Sequence, residues 1–185
     1  MKLGPRTKLL AIAAIFIAPI IASFIAYRAR PAPTANYGEL LLPPDLVTAQ
    51  TFEQPGRAPF SFASLRGKWV MVASDSGSCP RECLDKAFAM RQVRLALGQD
   101  AERVTRVFVV DDLNAPAPEL ATLLEGATLA ITPRAMSARP PSVSDRAHIY
   151  LADPHGNVMM RWPADPDMKR MLKDLQRLLR ASHIG

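Results

Sequence analysis

The 185-residue chain has room for one ordinary domain and a tail, and with 49% apolar residues it can build a core. Its formal charge of +6 points towards nucleic acid, but residues 1–30 hold five basic side chains and no acidic one. Residues 31–185 then carry 18 basic against 17 acidic side chains, and a near-neutral domain without a basic stripe argues against phosphate-backbone binding.

From Leu9 to Tyr27 the chain runs nineteen residues without a charge. A helix of that length spans roughly 28 Å, close to the hydrocarbon core of a bilayer. Pro19 lies in mid-span, where membrane helices tolerate it. A cleaved signal peptide is the competing reading, but Phe24-Ile25-Ala26 puts bulk where a cleavage site needs small residues. Residues 1–30 are therefore expected to form an uncleaved, single-pass membrane anchor. Lys2, Arg6 and Lys8 precede the span. A short basic amino end of this kind places the following domain outside the cytoplasm, in the periplasm for a bacterial-type inner membrane, where disulfides persist.

Residues 31–59 contain six prolines and read as a Pro-rich extended linker, with one short strand near Leu46–Thr51. Residues 60–185 read as the domain. Trp69–Ser74 is an apolar, β-branched run expected to form a buried strand. The polar turn Asp75–Ser78 follows, then Cys79-Pro80-Arg81-Glu82-Cys83, and Leu84 to about Gly98 reads as a helix. Thr105–Val110 is a second strand, closed by Asp111-Asp112, which reads as a solvated turn. Glu119–Leu124 is a short helix, and residues 131–145 form a loose stretch with Pro133, Pro140 and Pro141. Ala147–Leu151 and Val158–Trp162 flank a Pro/Gly/Asn turn as a hairpin. Asp165 as cap and Pro166 at the first helical position start the last helix, whose apolar face is Met168, Met171, Leu172, Leu175, Leu178 and Leu179. This order predicts an α/β fold, a thioredoxin-like mixed sheet flanked by helices on both faces, behind an N-terminal transmembrane helix.

Both cysteines of the chain fall in one five-residue stretch directly after a strand. Spaced by four, they are neighbours on one helical face or in the loop entering it. A helix amino terminus stabilises a thiolate, and Arg81 adds positive charge. A small local disulfide is the structural reading; it closes too short a loop to stabilise much. The functional reading is a dithiol, suited to thiol–disulfide exchange or to Cu(I), and we favour it. Structural zinc wants four ligands, which two cysteines and scattered histidines do not supply.

Phe62–Val70 and Cys79-Pro80-Arg81-Glu82-Cys83 resemble the Sco/SenC family of cytochrome c oxidase assembly proteins. Similarity extends through Thr105–Asp112 and Ile149–Gly156. The resemblance implies a membrane-anchored, thioredoxin-like domain in the periplasm. Its Cys-x-x-x-Cys pair, with a distant histidine, binds copper or acts as a thiol reductant while the oxidase's dinuclear copper site is assembled. It also implies a copper-site subunit of cytochrome oxidase as a partner and copper as a possible cofactor. Leu84 stands where the family usually has a second proline, and Asp145 holds the register of the ligand histidine. His148, three residues on, is a weak third-ligand candidate beside Cys79 and Cys83. His155 reads as an exposed turn residue, His183 as part of the tail, and Met136, Met159 and Met160 as core filler rather than thioether ligands. The expected function is that of a periplasmic thiol–disulfide reductant or copper delivery factor. The alternative is a non-catalytic assembly or docking factor with a resting disulfide.

Overall fold

The structure, a computed structural model, describes residues 4–29, 36–46, 51–56, 58–133, 145–182 and 184. The chain divides into two compact units, Met1–Ala35 and Asn36–Gly185. The first holds α1 (Pro5–Ala29), which contains Pro19 without interruption. Its stretch Pro5–Ala26 is long and apolar enough to cross a membrane. Ile15, Phe16 and Ile20 are exposed, as are all residues from 11 to 26, so this apolar stretch is not covered by the described residues.

The second unit is one eight-stranded sheet with order β1-β8-β7-β4-β5-β6-β2-β3. The strands are β1 (Glu39–Leu46), β2 (Thr51–Glu53), β3 (Pro59–Ser61), β4 (Trp69–Asp75), β5 (Val104–Val110), β6 (Thr128–Ile131), β7 (Ile149–Ala152) and β8 (Asn157–Trp162). β4 is central and buried along its whole length, parallel to β5 and antiparallel to β7. The parallel pairs β4–β5 and β5–β6 require crossovers, supplied by α2 (Arg81–Ala96) and α3 (Pro118–Leu123). α4 (Met168–Ala181) follows the β7–β8 hairpin.

Alternation along β4 divides the core. Trp69, Met71 and Ala73 join the apolar residues of α2, α3 and α4, while Val70 and Val72 pack with Phe52, Phe60 and Phe62. The three helices of this unit therefore share one face of the mixed sheet. The other face is closed by three mutually packed phenylalanines from β2, β3 and the 3-10 turn Phe62–Leu65, with ring centroids 5.3–6.5 Å apart.

Three expectations need correction. The helices do not cover both faces of the sheet but share one, because α2, α3 and α4 all pack on the side of Trp69, Met71 and Ala73. The span 31–59 is not all linker: β1 and β2 lie in it, and the second unit starts at Asn36. Pro43 and Pro44 obscure β1 because they suggest an interrupted chain, yet β1 is an edge strand, where proline costs no ladder bond on the open side. Its pairing with β8 shifts register between Leu40 and Asp45, across the proline pair. Of the expected strand Leu46–Thr51, residues 47–50 lie outside the described residues. The last helix begins at Met168, and its cap is Asp167, whose carboxylate accepts from the amides of Lys169 and Arg170 at 2.8 and 3.2 Å.

Candidate functional site

The cysteines sit where β4 hands over to α2. α2 starts at Arg81, so Cys79 lies in the entering turn and Cys83 in the first helical turn. They form a disulfide with Cα atoms 5.1 Å apart. Cys79 is 4% exposed and Cys83 is fully buried. Cys79 has φ +42°, a left-handed conformation that costs a non-glycine residue on the order of 1–3 kcal/mol unless its surroundings impose it. The surroundings do so: the Cys79 amide donates to the Ser76 carbonyl at 3.1 Å, and the Cys83 amide to that of Pro80 at 2.9 Å. Pro80 offers the helix no capping side chain, so the positive end of α2 is left to act on the sulfurs. Arg81 serves them less than its sequence position suggests, because it is exposed and faces Asp85 at 3.8 Å.

A network of charged side chains holds this turn from behind. Lys86, one helical turn after Cys83, is buried; its Nζ donates to Asp75 Oδ2 at 2.7 Å, to the Ser74 carbonyl at 3.1 Å and to the Arg146 carbonyl. It thereby ties together the end of β4, α2 and the segment before β7. The Arg146 guanidinium grips Asp111, donating from Nε at 3.1 Å to both carboxylate oxygens, and reaches Asp112 at 3.5 Å. Asp111 is only 1% exposed at its side chain, so the expected solvated turn is a buried ion-pair site instead.

Asp112 reaches back to the cysteine turn, accepting from the Gly77 amide at 3.0 Å and the Asn114 amide at 3.1 Å. Burial works against its charge, but the hydrogen bonds from Ser76, Gly77 and Asn114, with Arg146 nearby, outweigh that and hold its carboxyl below the ordinary 3.8. Gly77 is there because a Cβ at that position would overlap the Asn114 carbonyl. The amide of Ala117 donates to the Gly77 carbonyl at 2.9 Å and closes the contact. Sequence reading missed Asp75, Lys86 and Arg146. One signal was present: Lys86 falls among Cys83, Ala87 and Met90 on the apolar stripe of α2, where a lysine needs a buried partner.

Among the described residues, the remaining candidates have other contacts. His148 precedes β7, and its Nδ1 donates to the Trp162 carbonyl at 2.7 Å. Its Nε2 stands 3.4 Å from the carboxylate of Asp145, the residue at the register of the family's ligand. His155 is exposed in an Asx turn, its amide donating to Asp153 at 2.9 Å. Met160 is fully buried and Met159 packs against the same cluster. Met136 and His183 lie outside the described residues. Among the described residues no group of three or more His, Cys, Asp or Glu side chains is arranged to hold a metal ion. A Cu(I) site needs soft donors, and among the described residues no His, Cys, Asp or Glu side chain joins the two sulfurs as a third.

The fold matches Sco proteins of known structure. Apo Sco1 from Thermus thermophilus superposes with a TM-score of 0.63 at 19% identity, over 80% of this chain and 99% of that one. Copper-bound ScoI from Bradyrhizobium japonicum gives 0.54 at 21% identity, over 69% and 95%. BsSco, described with a disulfide switch and as a member of the Sco family of cytochrome c oxidase assembly proteins, gives 0.52 at 14% identity, over 75% and 96%. No curated protein matches the chain in sequence. The resemblance to Sco/SenC proteins thus holds at the level of fold: a thioredoxin-like mixed sheet flanked by helices. Residues 69–182 match the family model described as transmembrane-like, thioredoxin-like, C-terminal domain, and the chain belongs to that family.

Proposed function

We propose that the chain is a membrane-anchored thiol–disulfide reductant of the periplasm that serves the assembly of the copper site of cytochrome c oxidase. The observation that carries the reading is the Cys79–Cys83 disulfide at the start of α2, where Pro80 supplies no side-chain cap. The apolar helix α1 supports the anchor, and the likeness of the fold to Sco proteins supports the setting. Cys79, outside the helix and the less buried of the two, is the attacking sulfur. Its thiolate breaks a disulfide of the copper-site subunit and forms a mixed disulfide, releasing one partner thiolate. The Cys83 thiolate then attacks the Cys79 sulfur and releases the second. Two electrons pass to the partner, the Cys79–Cys83 disulfide forms, and a thiol reductant must restore the dithiol.

Anaerobic Cu(I) competition with the reduced full chain tests this ranking of reduction over copper carriage. With His148 held by the Trp162 carbonyl and Asp145, Cu(I) affinity is expected to be unchanged in His148→Ala. One-to-one binding of high affinity that His148→Ala destroys would make the protein a copper carrier. The burial of both sulfurs favours a second reading, an assembly factor that docks with its disulfide at rest. Full oxidase copper-site assembly by Cys79→Ser/Cys83→Ser would select it.

A further inference from the structure

α4 carries a charge pattern that neither the core nor the disulfide uses. Of its fourteen residues five are basic, Lys169, Arg170, Lys173, Arg177 and Arg180, and one is acidic, Asp174. Asp174 is 2% exposed and points inward, accepting from the amides of Tyr37 and Gly38 at 3.0 and 2.8 Å and from the Trp162 indole at 3.1 Å. Asp165 and Asp167 lie ahead of the first turn. Within the helix the charges shown to water are therefore all positive, with Lys169, Arg170, Lys173 and Arg180 exposed and Arg177 half-buried. Elsewhere in residues 31–185 acidic side chains outnumber basic ones by 16 to 13. Like charges three and four residues apart destabilise a helix, and an anionic surface removes that repulsion.

The second unit also receives the chain from α1 at this helix. Besides the Asp174 bonds, the Arg170 guanidinium lies 4.1 Å from the Tyr37 ring centroid, the Arg177 Nη1 donates to Asn36 at 3.4 Å, and the Asp167 amide donates to the Tyr37 hydroxyl at 3.0 Å. Six residues, 30–35, separate α1 from Asn36. Seven Cα steps of chain cover at most about 25 Å.

We propose that the outer face of α4 docks on the anionic phospholipid headgroups of the membrane that holds α1. The proposal rests on the reading of α1 as an anchor. Each lysine or arginine near an anionic surface shifts the docked population roughly fivefold, and the attraction fades within a Debye length.

The test uses the full chain in vesicles of phosphatidylcholine, with or without about 30 mol% phosphatidylglycerol. Exposed lysines are acylated with a water-soluble amine reagent, and the rates are read by mass spectrometry. In the anionic vesicles Lys169 and Lys173 are expected to react at least about fivefold more slowly, exposed Lys68 is expected to keep its rate, and about 0.5 M salt should abolish the difference. Equal rates in both vesicle types, or equal slowing at Lys68, overturn the docking. Carbonate extraction of the same vesicles tests the anchor separately: release of the protein refutes the anchor reading, and retention with unprotected lysines refutes docking alone.

Discussion

Replacing Lys86 by methionine removes the ammonium that ties β4, α2 and the segment before β7 together. The side chain that remains fills most of the space, so the loss is electrostatic rather than a cavity. It leaves Asp75, whose side chain is 9% exposed, as a buried carboxylate with its Ser76 amide bond at 2.8 Å but without its directly bonded counter-charge, Arg146 acting on it only at longer range. The Ser74 and Arg146 carbonyls lose a donor as well. Breaking a buried pair from one side costs about 3–5 kcal/mol, a large share of the roughly 5–15 kcal/mol that holds a domain folded. In urea, with a slope of about 2 kcal/mol per M, the unfolding midpoint of oxidised Lys86→Met should fall by roughly 2 M. Asp75→Asn should also destabilise, because it leaves the lysine unpaired. Since each single change already forfeits the pair, the double variant should recover at least about 1 kcal/mol relative to the sum of the two. A Lys86→Met loss below about 1 kcal/mol, or strict additivity, would refute the claim that this pair organises the cysteine turn.

Gly77→Ala forces the cysteine turn away from the Asn114 carbonyl, and overpacking of this kind costs about 1–3 kcal/mol, or roughly 2–12 °C in Tm by calorimetry. Asp112 is held below its ordinary 3.8, so its contribution to stability is complete above that value and is lost as pH falls through the lowered one. Urea midpoints of the wild type and Asp112→Asn should therefore differ by a constant amount from pH 7 to 5 and converge below pH 3.8. Asp167→Ala removes the side-chain cap of α4 and should cost about 1 kcal/mol in chemical denaturation.

Elements that bury a regular pattern were legible in the sequence. β4 and β5 read as strands because their apolar, β-branched runs are closed by turns, and α4 read as a helix because its leucines and methionines recur at three and four. That the two cysteines meet was legible because both follow the central strand within five residues. β1 was hidden by Pro43 and Pro44, and β6, only four residues long, carries too short a pattern to separate from its flanking loop. The network behind the disulfide joins Asp75 to Lys86 across a strand–helix junction, and Asp111 to Arg146 across 35 residues. Such pairing is set by which strand ends the topology brings together, and no local period records it. The ligand question lay between these cases. The residue at the family's histidine register could be read as Asp145, but the bond from His148 to the Trp162 carbonyl depends on the pairing of β7 with β8.

The central claim is that Cys79 and Cys83 form a working redox pair. Equilibration of the full chain in glutathione buffers of stepped ratio, followed by alkylation and intact-mass analysis, tests it most directly. The account predicts a reversible, two-electron passage from no alkylated thiol to two, with singly alkylated protein confined to mixed disulfides, and loss of the transition in Cys79→Ser and in Cys83→Ser. A disulfide that stays intact across the whole series, or thiols that do not re-form it on oxidation, would contradict the account.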